Sequence, residues 1–535
     1  MKIFSKNHLI IEALSGSILL CSLLFLLFSK YGFGFEDEGL LWYASQRTHV
    51  GELAIRDFFA YDPGRYFWNS FIFYLTGNSG LNSLLIAASA FGGVGLVTSW
   101  YTMGVAKITF PWRLTFAIII AIALCYPRHK VYEQTLSLIL VSIIYFILIS
   151  PSSIKRWFFF GILTGIAAFF GRNHGVFFVI SALILVLYLW IDKTLKSPRN
   201  LALCYIAGII VGYLPILSII SFDQQFRVEF IDSVLSVLNW QLSLPIPFFW
   251  RMNYSSGVNF DTINYLSVGL VCILAPLIYL IGLFILFITS FKRGSKNHTV
   301  LLLGAASLAG LPYLHQAFDR ADFGHIAQSI LPVFIAIAAM ICECSKHPRF
   351  RIASYIFCIL SLIVCLSAWV TTLPMTRMLR AETSLPGSIV SYQIGNNKFL
   401  INSSQANILS EVRKITQKCE VSDNEFLALP QFPGIYAYLG LKAPFWEMYY
   451  LYQRSSEFQL RHINAISKVK VILISPDATV DGLERLKLKY TYGDLMDHIE
   501  KKYKKINSTT LPSGVYIYRT RLVWRLTNLT IDSHP

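Results

Sequence analysis

Eleven apolar runs separated by short polar segments constrain this chain of 535 residues more than any other feature. They cover approximately 9–29, 82–106, 113–126, 134–150, 157–171, 175–192, 201–221, 265–291, 299–318, 326–342 and 352–371. A hydrocarbon core of about 30 Å takes about 20 apolar residues per helical crossing, so the runs read as a membrane-spanning bundle. The third and fifth are among the shortest. Composition agrees, with 55% hydrophobic and only 14% charged residues against about 25% charged in soluble domains. Disorder, a coiled coil and an ordinary cytosolic enzyme are excluded. The fold class expected is a polytopic α-helical membrane protein of about eleven transmembrane helices over 1–371, followed by a small C-terminal α/β domain over 372–535. The first run starts basic and lacks a small-residue cleavage site before Lys30, so it reads as a retained helix and not a removed signal.

The net charge of +16 would suit nucleic acid if it were gathered on one patch, but it is spread by topology. Lys107, Arg113, Lys155, Arg156, Lys193, Lys196, Arg199, Lys346 and Arg351 fall on one side of the bundle. Glu36, Asp37, Glu38, Asp57, Asp62, Glu133, Asp319 and Asp322 fall on the other. Basic loops stay cytoplasmic. The N-terminus is therefore expected inside and the tail outside, and nucleic acid is not an expected partner.

The outer face also holds the long loops, 30–81 and 222–264. In the first, Gly39 to Val50 reads as an amphipathic helix lying on the bilayer surface. In the tail, Phe426–Leu429, Val469–Ser475 and Val515–Arg519 read as strands, and Ser403–Lys418 and Asp494–Lys504 as helices. Its glycines are isolated, so no phosphate-cradling loop is expected. The nine cysteines are scattered without a CxxC spacing, which predicts neither a disulfide framework nor a cysteine metal site.

Four polar clusters could carry chemistry. Glu36-Asp37-Glu38 follows the first span, and adjacent carboxylates raise one another's pKa, which suits a proton acceptor or a cation site. A solvated helix cap is the alternative. Arg128-His129-Lys130 and Arg172-Asn173-His174 lie at outer span edges, where cations either snorkel or hold an anion. Asp319, Asp322 and His325 are spaced i, i+3, i+6, so a continuous helical turn would set them on one face beside Arg320. A salt-bridged cap or substrate patch is expected there, with a divalent cation as the alternative.

After the acidic cluster come Trp42, Tyr43 and Ala44, then Gly51 with Arg56-Asp57-Phe58, then Asp62-Pro63-Gly64-Arg65-Tyr66. This order resembles the first outer loop of GT-C glycosyltransferases, in the branch of protein O-mannosyltransferases and lipid A aminoarabinose transferases. The family's Asp-Glu pair falls on Asp37-Glu38, which makes Asp37 the expected catalytic carboxylate. Glu36 precedes the pair and stands as an alternative base, with Asp57, Asp62 and Arg65 as further loop candidates. The resemblance implies transfer of a sugar from a polyprenyl-phosphate donor to a glycolipid, glycan or protein acceptor on the outer side of a plasma or bacterial inner membrane, with inversion. Such transfer needs a base and positive charge for the departing phosphate. Arg128, His129 and Lys130 are the first expectation for that charge, with Arg172, His174, Arg320 and His325 behind them. No cofactor is expected beyond a possible divalent cation. A glycolipid transporter or flippase would place ionisable groups at mid-membrane and often repeat its halves, and neither feature is evident. A lipid-linked glycan polymerase or ligase and a non-catalytic relative complete the alternatives.

Overall fold

The computed structural model describes residues 6–236, 242–252, 257–291, 297–346, 351–377, 389–450, 452–506, 508 and 510–520. Its first part is helical throughout. In chain order it holds α1 (Lys6–Phe28), α2 (Asp37–His49), α3 (Gly64–Thr76), α4 (Leu81–Val105), α5 (Phe110–Leu124), α6 (Val131–Ile149), α7 (Ile154–Phe170) and α8 (Arg172–Ile191). There follow α9 (Pro198–Gly212), α10 (Leu214–Phe222), α11 (Gln224–Ser236), α12 (Phe260–Phe291), α13 (His298–Asp319), α14 (Phe323–Ser329), α15 (Leu331–Cys344) and α16 (Arg351–Thr372).

All eleven apolar runs are helical, yet they are not eleven equal spans. Among the described residues seven helices are long and apolar enough to cross a membrane, or nine if each bent pair is one span. These helices make the chain an integral membrane protein. The bent pairs are α9–α10, at 59°, and α14–α15, at 51°. Each breaks where a proline, Pro215 or Pro332, enters at the second helix's first turn, because proline cannot continue the preceding hydrogen-bond ladder. Helices α5 and α7, of 15 and 17 residues, rise only about 22–26 Å at about 1.5 Å per residue.

Packing follows composition. The apolar stretch of α6 is 83% buried and that of α1 only 11%, so α6 is central and α1 faces lipid. The side-chain amide nitrogen of buried Gln134 on α6 donates to the carbonyls of Ala123 and Ala327 at 3.2 and 3.3 Å. Helices α7 and α9 touch backbone to backbone through Gly161 and Gly208: a Cβ on Gly161 would lie 2.0 Å from the Tyr205 carbonyl. With no hydrophobic drive between helices in lipid, such small-residue seams supply the attraction.

The tail is α/β. Strands β1 (Ile389–Ile394) and β2 (Asn397–Asn402) form a hairpin that runs into α17 (Ser403–Lys418). A second sheet has the order β3 (Phe426–Leu429), β4 (Val471–Ile474), β6 (Tyr516–Thr520), β5 (Tyr503–Ile506), parallel between β3 and β4 and antiparallel otherwise. Around it lie α18 (Pro433–Leu439), α19 (Ser456–Ala465) and α20 (Gly493–Lys502). The three expected strands and both helices are present. The second expected helix stops at Lys502 because Tyr503 turns into the sheet and donates to the carbonyls of Ile466 and Val469.

The loop helix α2 departs from expectation. It does not lie on a bilayer surface: Glu38 through Ser45 are all buried, wedged between the bundle and the tail. A Cβ on Gly39 would stand 2.5 Å from the backbone nitrogen of Gly434, so the two backbones meet there. Gly434 N–H donates to the Phe35 carbonyl at 2.9 Å, and Gln46 reaches the Ala437 carbonyl at 3.3 Å. Ala443 N–H donates to the Tyr43 hydroxyl at 3.0 Å, and Lys442 pairs with Glu52 at 2.6 Å. Among the aromatic residues of α2, Tyr43 packs on Tyr436 of the tail with ring centroids 5.7 Å apart.

Reporter fusions after Lys346 and after Thr372, separated by α16 alone, are expected to report opposite sides of the membrane, with the second outside. The same side at both points would remove α16 from the spans.

Candidate active site

The tail-side end of the bundle encloses a cavity of about 810 Å³. A second, of about 550 Å³, lies beside it. Asp37, Tyr126, His129 and Arg377 line both, so the two meet at these four side chains.

Asp37 opens α2, and its carboxylate keeps 39% of its side-chain surface. One oxygen, Oδ1, accepts from the Tyr449 hydroxyl at 2.8 Å, and the other lies 3.4 Å from His129 Nε2. Burial pushes this carboxyl up. His129 when protonated, Lys130, the Tyr449 hydrogen bond and Arg320 outweigh it and hold the group below the ordinary aspartate range. Asp37 is thus an anion at neutral pH. Glu36 lines the smaller cavity, and its pKa is raised, first by enclosure and then by the charges of Asp37 and Glu38. The mutual repulsion expected of the cluster therefore falls on Glu36.

Glu38 has a different part. It is buried and pairs with Arg128, Nε to Oε1 at 2.6 Å and a second nitrogen to Oε2 at 2.8 Å. Arg128 also donates to the carbonyls of Tyr31 and Gly32, at 3.2 and 3.0 Å, and Gly34 N–H donates to Glu38. The guanidinium is consumed in fastening the loop to the 3-10 turn Arg128–Lys130. That turn directs His129 and Lys130 to the large cavity.

The other expected residues divide in two. Arg320, Asp322 and His325 line the large cavity, while Arg172, His174, Asp57, Asp62, Arg65 and Asp319 do not. Arg172 pairs with Asp62 at 2.8 Å and donates to Ser233. His174 is buried against the Tyr313 hydroxyl at 3.2 Å. Arg65 is buried on Glu133 at 3.1 Å and the Phe170 carbonyl at 3.0 Å. Asp57 holds Arg56 and the Leu53 N–H.

The i, i+3, i+6 turn of Asp319, Asp322 and His325 does not form. Helix α13 ends at Asp319, which is exposed, and a new helix starts at Phe323 with Asp322 as its N-cap. Asp322 accepts from His325 N–H at 3.0 Å and contacts its Nδ1 at 2.8 Å, and Arg320 bonds it at 3.0 Å. Burial raises the Asp322 carboxyl, but His325 and Arg320 bring it down to about 2. Arg320 also reaches Asp481 of the tail at 2.5 Å. Among the described residues no group of three His, Cys, Asp or Glu side chains comes together as a metal site.

Several lining residues escape sequence reasoning. Arg251 and Arg377 stand in the large cavity, and with Lys130 they are lining cations that make no ion pair within 4.0 Å among the described residues. Tyr449, Tyr452, Gln431 and Asp481 come from the tail. Arg377, five residues past the last span, and Arg251, at the end of an aromatic run, were legible only as edge cations.

No family model and no curated protein matches the chain. Among solved structures it is similar to the oligosaccharyltransferase of Archaeoglobus fulgidus in the apo form, at 12% identity and TM-score 0.45, over 96% of this chain and 76% of that one. It is also similar to ArnT from Cupriavidus metallidurans. With undecaprenyl phosphate bound, that structure gives 11% identity and TM-score 0.49 over 95% of this chain and 97% of that one. The apo structure gives 13% and 0.48 over 94% and 98%.

Removing Arg128 leaves Glu38 buried without its partner. Arg128→Gln should therefore cost about 3–5 kcal/mol of stability, read as a lower unfolding temperature in detergent. Stability equal to wild type would return Arg128 to the set of cations free to bind a ligand.

Proposed function

We propose that the protein is a membrane glycosyltransferase that moves a sugar from a polyprenyl-phosphate donor to a glycolipid, glycan or protein acceptor on the outer side of the membrane. The observation that carries this reading is Asp37, an ionised carboxylate at the junction of two cavities, facing a wall of cations at the end of an apolar bundle. The resemblance of the loop from Glu36 to Tyr66 to GT-C enzymes supports it.

In this reading the anomeric carbon of the donor sits beside Asp37. The acceptor hydroxyl or amine attacks that carbon as its proton passes to the carboxylate. The bond from the carbon to the phosphate oxygen breaks, and its electron pair leaves with the phosphate. One displacement inverts the anomeric centre. Lys130, Arg251 and Arg377 are the cations assigned to the departing phosphate, since Arg128 is committed to Glu38, Arg172 to Asp62, and Arg320 to Asp322 and Asp481. Fixed positive charge at the leaving group acts where negative charge develops. If the reaction uses a divalent cation, Asp37 would supply an oxygen ligand, while Glu36, Asp322 and Asp481 line the cavities without gathering round it as a ligand set among the described residues.

General-base catalysis contributes about 10²–10⁴ in rate. Asp37→Asn should lose at least that much turnover while the protein still binds a polyprenyl-phosphate sugar. Near-normal turnover would remove Asp37 as base, and loss on Glu36→Gln instead would move the role by one residue. Lys130→Gln combined with Arg377→Gln should weaken retention of the same donor, whereas unchanged retention would place its phosphate elsewhere.

A further inference from the structure

The tail reaches the cavity on a strap, residues 443–450, that lacks regular structure and is nonetheless tightly held. Trp446 Nε1 donates to the Ile55 carbonyl at 2.8 Å, and its own carbonyl accepts from Phe59 N–H at 2.8 Å. Tyr450 N–H donates to the Pro430 carbonyl at 3.1 Å, and its hydroxyl meets His462 Nε2 at 3.0 Å. Glu447, buried between these anchors, pairs with Arg454 at 2.6 Å and accepts from the Tyr492 hydroxyl. Two residues beyond Glu447, Tyr449 delivers its hydroxyl to Asp37.

We propose that Tyr449 is a positioning residue for Asp37, held in place by the Glu447–Arg454–Tyr492 clamp, so that the tail sets which carboxylate oxygen can accept a proton. The phenol takes one lone pair of Oδ1, and Oδ2, on the His129 side, accepts nothing from the tail and is the oxygen more open to a proton. The direction of the bond is fixed by chemistry: burial and the charge of Asp37 push the phenol's pKa well above its ordinary value, so it keeps its proton and donates. A donor to the charged form of a carboxylate lowers its pKa.

The inference rests on Asp37 being the base, and its test is chosen to be independent of turnover. A hydrophobic carbodiimide reacts with protonated carboxyls, so the pH at which it half-labels Asp37 in the full-length protein in detergent, located by peptide mass spectrometry, reads that group directly. The groups facing Asp37 are His129 and Lys130 from the turn, Arg320 from the α13–α14 junction, Tyr61 from the loop, Glu36 and Glu38 beside it and Tyr449 from the tail. All but Tyr449 are unchanged in Tyr449→Phe. Loss of a hydrogen bond to the charged form raises the pKa, so the half-labelling pH of Tyr449→Phe should rise by about one unit. Glu447→Gln, which leaves the phenol but loosens its strap, should move it in the same direction. An unmoved half-labelling pH in Tyr449→Phe would overturn the proposal, and a shift in that variant with none in Glu447→Gln would overturn the clamp. Failure of the underlying readings is separate: retained turnover in Asp37→Asn would remove Asp37 as base, and no sugar transfer by the wild-type protein from a polyprenyl-phosphate donor would remove the glycosyltransferase reading.

Discussion

The buried ion pair between Glu38 and Arg128 fixes the geometry on which the site depends. It joins the first turn of α2 to the 3-10 turn before α6, and so sets the distance between Asp37 on one and His129 and Lys130 on the other. Two charges taken out of water are costly, and the cost is met only when the remaining lone pairs and protons are also satisfied. Here the carbonyls of Tyr31 and Gly32 accept from Arg128 and the N–H of Gly34 donates to Glu38, which offsets part of that cost. One carboxylate of the cluster serves structure, so that its neighbour can face the cavity as an anion.

This division also explains what the sequence could and could not reveal. Periodicity and charge were enough for the helical bundle and for three of the six described strands of the tail, and they singled out the acidic cluster as a candidate. They could not separate Glu38 from Asp37, because the two are adjacent and the difference lies in Arg128, brought to Glu38 only by folding. The same limit hid Tyr449, which is 412 positions from Asp37, and made Arg128 look like a free cation. At 319–325 the spacing fitted a helical turn, but an N-cap at Asp322 competes with continuation of α13 and wins, since Arg320 leaves helical conformation there. Gly39–Val50 read as an amphipathic helix on the bilayer surface because nothing in its own periodicity shows that the tail, far along the chain, packs over it.

Membrane helices, loop and tail therefore act together at the cavity. The bundle contributes Lys130 and Tyr126, the segments between spans contribute Asp37, Arg251 and Arg320, and the tail contributes Tyr449 and Asp481. The Arg320–Asp481 pair and the Tyr449–Asp37 hydrogen bond lie on different tail segments. The tail is thus held to the cavity wall at two points.

The central claim is that Asp37 serves a single displacement at the anomeric carbon. The most direct measurement is the NMR one-bond carbon–proton coupling at C1 of the sugar that appears on the acceptor only in cells carrying the gene, compared with the same sugar on its lipid donor. The account predicts opposite anomeric configurations in donor and product. Retention of configuration would contradict it, whichever carboxylate proved essential.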